Sequence, residues 1–292
     1  MRLAHRLLLL RYGISPDFAP NRGPEPSGEM PPVAADLLRI VRRMEAEAYD
    51  VTAGRVAYAR LRSSSTYEEY RQCARRLQSF DLRTLSSREA RLAFWINLYN
   101  ALVVDAVIQF GVSRTVNEVP GFFWRAAYVI GGRRFCAHDI EHGILRANAP
   151  HPAIPGAHFG RGDSRGRYSL ERLDPRIHFA LVCAARSCPP IAAYGPAQID
   201  SQLDLAARVF VNSGGVELDA GAGEVRLSQI FRWYAPDFGA RPLAWGDRRP
   251  LLEFVSPYLE REDDRRWVME SRRLQVRFLD YDWSLNHAGT LS

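Results

Sequence analysis

No lysine occurs anywhere in this chain: all 39 basic residues are arginine, set against 33 acids for a net charge of +6. A bias so uniform in residue type reads as a coding preference, not as selection for phosphate. The arginines form only short clusters, such as 71–76 and 265–273, and no basic stripe is interleaved with aromatics, so a nucleic-acid partner is not expected. Cysteine is scarce as well. The four cysteines, at 73, 136, 183 and 188, are too few and too unevenly spaced for a disulfide framework, and they form no CxxC pair for structural zinc. A reducing compartment fits this usage, and a cytoplasmic location is the expectation. Long apolar runs are missing too. Leu92 to Phe110 is interrupted by Asn97, Asn100 and Asp105 and falls short of the ~20 apolar residues of a membrane span. At the N-terminus Arg2, Arg6 and Arg11 surround only four consecutive leucines, whereas a secretory signal needs about 7–15 apolar residues. Gly-rich phosphate loops, a GxSxG elbow and internal repeats are also lacking.

What is present supports a sizeable core. With 47% hydrophobic residues in 292, the chain suffices for one large domain. Prolines 16, 20, 24, 26, 31 and 32, with Gly23 and Gly28, predict that 1–32 is a disordered leader and that the folded domain spans 33–292. Helical periodicity follows over Ala34 to Asp50, and Ser65-Thr66-Tyr67-Glu68 opens a second helix with a capping-box pattern. Ser86 to Glu89 is another capping box, opening a long helix over Ala90 to Phe110 that stops at Gly111. AFWINLYN, residues 93–100, is apolar around most of its circumference, which predicts a central, buried helix. Ala126 to Ala137, centred on Gly131-Gly132, and Val216 to Leu227 read as hairpins. Ala197 to Val211, Gln229 to Tyr234 and Leu251 to Leu259 read as helices, and Leu274 to Tyr281 as a last strand. The elements mix without a βαβ rhythm, so the predicted class is α+β: a single domain with its central helix packed on a small, largely antiparallel sheet built from hairpins.

Three groups of residues carry candidate chemistry. Asn97 and Asn100 share a face of the buried helix, where an unpaired amide costs about 1–3 kcal/mol; they either line a site or tie down loop backbone. His138 and His142, with Glu141, match the H-x-x-E-H pattern of zinc peptidases. No further ligand is marked, so no metal or cofactor is expected. Asp174 to Tyr194 is the densest stretch. Ile177 to Cys183 reads as a buried strand with His178 and Cys183 on opposite faces, and Ser187-Cys188-Pro189-Pro190 as a helix or turn start. Backbone N–H groups pointing outward there, together with Arg186, favour the thiolate of Cys188. Cys188 is thus a candidate nucleophile and His178 a candidate base, whereas Cys73 and Cys136 read as inert. The loop over 149–172 is expected at the surface, bordering a cleft.

Taken together, AFWINLYNAL at 93–102, DIEHGILR at 139–146, DPRIHFALVCAARSCPPI at 174–191 and DYDWSLN at 280–286 resemble the DUF547 family, a group named for having no assigned function. The resemblance runs from about 58 to 286. It implies that Asn97, Asn100, Glu141, His142, Arg146, Arg176, His178, Ser187, Cys188 and Pro189 stand at family motif positions, and that His138 does not. Eukaryotic relatives carry leucine-zipper or glutaredoxin-like segments, which this chain lacks. The first functional expectation is a cysteine-dependent hydrolase or acyl transferase. In it His178 or His142 deprotonates Cys188, Glu141 or an asparagine orients the imidazole, and Asn97, Asn100, Arg146, Arg176 and Ser187 bind a small-molecule or peptide ligand. The alternative is a non-catalytic binding or scaffold domain whose polar residues form a buried network. A metal-dependent hydrolase using His138 and His142 is the third.

Overall fold

The computed structural model describes every residue except 1–2, 51, 241–246, 272 and 290–292. Arg2 and Arg272, from the clusters above, therefore lie outside the described residues. The class is α+β, with sheets of two or three strands. The chain forms two compact units: Met1–Leu173 with Leu181–Ile199 and Trp283–Ser292, and Asp174–Ala180 with Asp200–Asp282.

In the first unit, helices α1 (Leu3–Arg11), α2 (Val33–Ala48), α3 (Tyr58–Arg62) and α4 (Ser65–Arg76) precede the central helix α5 (Arg88–Gln109), and the short α6 (Phe122–Arg125) follows it. The start of α5 is set by Ser87, whose hydroxyl accepts from the Ala90 N–H at 3.1 Å. It runs to its end at Gly111, which takes φ +65°. Every residue from Leu92 to Ile108 is buried. This helix is long and apolar enough to cross a membrane, but 94% of its most apolar window is covered by protein, as in a core helix. Each fully buried Leu, Val or Phe contributes about 1.5–3 kcal/mol, so α5 is the main apolar element of this unit.

Two hairpins complete the unit, β1 (Tyr49–Asp50) with β2 (Arg55–Val56), and β3 (Ala127–Ile130) with β4 (Arg133–Cys136). Ile130 pairs with Arg133 across Gly131 and Gly132, at φ +54° and +73°. A two-residue turn with both central φ positive matches the twist of its strands, and glycine takes it without steric cost.

The leader is more ordered than its composition predicts. His5 and Leu9 of α1 are buried, and Leu9 and Ile14 pack with Trp124, Ala127 and Cys136. The Asn21 amide donates to the carbonyls of Ala74 and Val129 and accepts from the Val129 N–H at 2.9 Å, so it acts as an extra rung on β3. Apolar residues and one amide anchor this segment, and proline count does not register either.

The second unit contains α7 (Ile199–Phe210) from Asp200 onward. After it come the hairpin β5 (Val216–Asp219) and β6 (Glu224–Leu227), helices α8 (Gln229–Trp233), α9 (Arg249–Val255) and α10 (Glu262–Glu270), and β7 (Gln275–Phe278). β7 joins β6 in parallel, with Val225 beside Val276; the three helices form the crossover that a parallel pair requires. Phe179, Phe210, Phe231, Phe238 and Phe254 make the centre of this unit's core, with ring centroids 4.7–6.5 Å apart.

The strand expected over 177–183 is absent. Asp174 accepts from the Arg176 N–H at 3.1 Å, Pro175 follows, and Pro175–Phe179 is a 3₁₀ turn. Beyond it, the Val182 N–H goes to the Asn100 side chain instead of a ladder. Asx capping and a proline at the first helical position outweighed the β-branched pattern.

Candidate functional site

Five of the seven histidines gather in the first unit. His138 caps a π-helical turn, Asp139–Leu145, in which the Arg146 N–H reaches back to the Glu141 carbonyl at 2.8 Å. Such wide turns often occur at functional sites. The chain leaves it through Ala147 and Asn148 at φ +51° and +62°. Asn148 then closes the following loop on itself, accepting from the Phe159 N–H at 2.6 Å. That loop carries His151 and His158. Gly143 is required because a Cβ there would stand 2.3 Å from the Phe159 ring.

His138, His142 and His151 each offer a ring nitrogen within 4.8 Å of the other two. The His138 and His142 rings are near parallel with centroids 5.2 Å apart, and the His151 ring stands almost perpendicular to both at 4.8 and 4.7 Å. His142 is buried; His138 and His151 are half-buried. Burial and the neighbouring imidazoles push all three pKa values down, that of His151 to about 4. The rings are therefore neutral at pH 7, each with one protonated nitrogen and one that carries a lone pair.

His158 stands behind this group, its centroid 5.7 Å from that of His142. Its Nε2 lies 3.0 Å from Asp139 Oδ1, while Asp139 Oδ2 takes Arg165 at 2.8 Å and the Cys136 N–H at 3.0 Å. Burial alone would raise the Asp139 pKa, but Arg165 and His158 hold it well below the usual carboxylate range. A carboxylate that stays ionised accepts only, so His158 Nε2 donates to it. His158 Nδ1 is buried and has no hydrogen-bond partner among the described residues, as is also true of His138 Nδ1. Orphaned ring nitrogens in a protein interior call for an explanation such as an ion.

Around His142, Arg146 donates to Nδ1 at 2.9 Å and to the Pro150 carbonyl at 2.6 Å, and Glu141 Oε1 is 3.7 Å from Nδ1. Glu141 also accepts from the Tyr99 hydroxyl at 3.1 Å. Arginine has no acceptor, so His142 Nδ1 carries a lone pair and the neutral ring holds its proton on Nε2. The same tautomer follows for His151, whose Nδ1 accepts from the Ala153 N–H at 3.0 Å.

The two motif asparagines tie down backbone. Asn97 donates to the Tyr194 carbonyl at 2.7 Å and accepts from its N–H at 2.9 Å, and Asn100 accepts from Val182 at 3.1 Å. Arg176 binds Asp174 and reaches Asp200 and Asp204 on α7. His178 Nε2 lies 2.8 Å from Asp237 Oδ2, and its ring stacks on Tyr234 at 4.0 Å. Cys188 is not a free thiol here. It is disulfide-bonded to Cys183, and the expectation that Cys183 faces away fails because the chain turns back through Ala184 at φ +64°. Ser187 is half-buried and Pro189 buried in the same loop. Cys73 and Cys136 are buried free thiols, their pKa values pushed up by burial, Cys73 to about 12.

Sequence reading found His138, Glu141, His142 and Arg146 but not His151 or His158. The available signal was compositional: four histidines fall between 138 and 158. The loop's prolines and glycines hid it, since they marked the stretch as surface.

Fold and site together define an α+β protein with a partly buried histidine cluster built on a π-helical turn that packs against its central helix. Residues 82–211 match the family model described as "Protein of unknown function, DUF547", which supports the family resemblance over this segment. The match spans α5, the β3–β4 hairpin, the histidine cluster and both half-buried cysteines, and it excludes DYDWSLN at 280–286. No curated protein and no solved structure matches the chain.

Proposed function

We propose that the first unit holds a divalent transition metal of the zinc class on His138, His142 and His151 and uses it for hydrolysis. The observation that carries this reading is the convergence of three neutral imidazoles, one nitrogen each, within 4.8 Å. Nitrogen donors suit zinc-class metals, whereas magnesium and calcium take oxygen. Tetrahedral ligands with Zn–N bonds of 2.0–2.1 Å are about 3.4 Å apart, so side-chain rotations of roughly an ångström close the set. Three protein ligands leave a fourth position open. A metal bound there would supply a Lewis acid and a water of lowered pKa.

The chain's own residues have defined parts in this reading. Holding a metal on His142 would require Arg146 to release Nδ1, directly if Nδ1 were the ligand or after a proton shift to Nδ1 if Nε2 were, and His151 would likewise have to release the Ala153 N–H or move its proton. If Nε2 were the ligating atom, the proton moved to Nδ1 would be donated to Glu141 Oε1, 3.7 Å away, which would fix the ring as outer carboxylates do in histidine metal sites. Glu141 and Arg146 are thus positioning residues.

The cysteine-dependent reading is weaker, because Cys188 is bonded to Cys183 and His178 is engaged by Asp237. The scaffold reading accounts for Asn97 and Asn100, whose amides hold backbone, but not for the convergence of three imidazoles.

Elemental analysis of the purified, dialysed chain tests the proposal. One zinc per chain is expected, with cobalt(II) substitution giving the intense visible absorption of a tetrahedral site, and a chromogenic ester panel cleaved only by the metal-loaded protein. Failure to bind zinc or cobalt saturably ends the metal reading; a folded His142→Ala variant that keeps its metal ends the ligand assignment.

A further inference from the structure

A cavity of about 210 Å³ opens in the first unit between the start of α5 and the 3₁₀ turns at Leu82–Thr84 and Ser164–Tyr168. Its wall is half apolar, from Leu82, Leu85, Trp95 and Tyr168, and half cationic, from Arg91, Arg167 and Arg83, with no carboxylate among the lining residues. Arg83 is spent: its guanidinium grips both oxygens of Asp81 at 2.9–3.1 Å. The other two are not. Arg91 has a buried Nε without a hydrogen-bond partner among the described residues, and its ion-pair partner Glu171 is 3.8 Å away and 90% exposed, so solvent screens that pair. Arg167 lies 5.0 Å over the Tyr168 ring and has no ion-pair partner among the described residues. A guanidinium with an unused, desolvated donor beside an aromatic wall is complementary to a planar oxyanion carried on an apolar body.

We infer that this cavity binds a small carboxylate with an apolar body, a single aromatic ring or a short acyl chain. Arg91 and Arg167 would take the carboxylate, and Trp95, Tyr168 and the two leucines the body. The volume lies below the ~300–1,000 Å³ of drug-sized sites, which sets the ligand's size. The apolar half favours such a carboxylate over inorganic phosphate, whose hydration shell gains nothing from leucine. The site is independent of the histidine cluster, so its failure leaves the metal reading untouched, and the reverse.

Calorimetric titration of the full chain with benzoate, benzamide and inorganic phosphate is the test. Saturable one-to-one benzoate binding is expected, with benzamide unbound at the same concentrations. Affinity should fall at least tenfold in Arg91→Gln and measurably in Arg167→Gln, a fully surface change that keeps the experiment informative if Arg91→Gln misfolds. Zinc stoichiometry should not change in either variant. Absence of saturable binding, equal binding of benzamide, tighter binding of phosphate than of benzoate, or wild-type affinity in both variants would each overturn the assignment.

Discussion

Two histidine environments in this molecule differ in what they leave undone. In the second unit His178 has a carboxylate at 2.8 Å and aromatic rings of Tyr234 and Phe238 against it. Its polar edge meets an anion and its faces meet the core, the arrangement of a histidine working as a structural tie. In the first unit the rings of His138, His142 and His151 face one another, burial and mutual repulsion keep them neutral, and ring nitrogens of His138 and His158 remain without a partner. One residue type thus serves two ends, and the difference is the nearest charge. His178 has an anion at hydrogen-bond distance; the three clustered rings have one another, and the proposed metal would supply the charge between them.

The largest effect expected from this comparison is on stability. His178→Ala removes one partner of a buried, hydrogen-bonded pair and should cost about 3–5 kcal/mol in urea unfolding, while leaving zinc stoichiometry unchanged. Loss of zinc in that variant would erase the distinction between the two environments. His151→Ala should do the reverse, weakening zinc binding by more than ~100-fold, about 2.7 kcal/mol, in a chelator competition, with little loss of metal-free stability, since the ring is half-buried in a loop. Asn97→Leu touches neither environment. It strands both polar groups of Tyr194 and should lower stability by about 1–3 kcal/mol with metal binding retained.

The last effect is nil near neutrality and grows as pH falls. The three rings have folded pKa values below the ordinary 6.5, so above pH 6.5 both folded and unfolded chains bind no proton at them and they add nothing. As pH falls below 6.5 the unfolded chain takes up protons that the fold refuses, and stability drops by about 1.4 kcal/mol per pH unit for each ring held neutral. For His151 the loss levels off near pH 4, where it protonates in the fold. Urea midpoints of metal-free protein between pH 7 and 4 measure this slope, which should be shallower in His151→Ala.

Much was legible in local sequence. The capping pattern over Ser86 to Glu89, one residue off the Ser87 cap, the apolar circumference of 93–100 and Gly111 specify α5, and Gly131-Gly132 specifies its hairpin, because caps, periodicity and φ-positive turns are properties of a few adjacent residues. The α+β class followed from the order of such elements. The burial of Asn97 and Asn100 was readable in the same way, since their neighbours on every side of the helix are apolar.

What tertiary structure decided was every pairing across distance. Whether 177–183 became a strand depended on partners for its N–H groups, and Asn100, 82 residues away from Val182, supplied one. The docking of 3–21 rests on Asn21 reaching β3 over a separation of 108 residues. Cys188 lost its thiol to Cys183 through a single positive φ at Ala184. The third histidine came from a proline- and glycine-rich loop that Asn148 folds back upon the π-helical turn. Local sequence determines backbone preference, worth tenths to a few kcal/mol per residue; which donor meets which acceptor, or which imidazole meets which, is settled only when the chain closes its loops and pairs its buried polar groups.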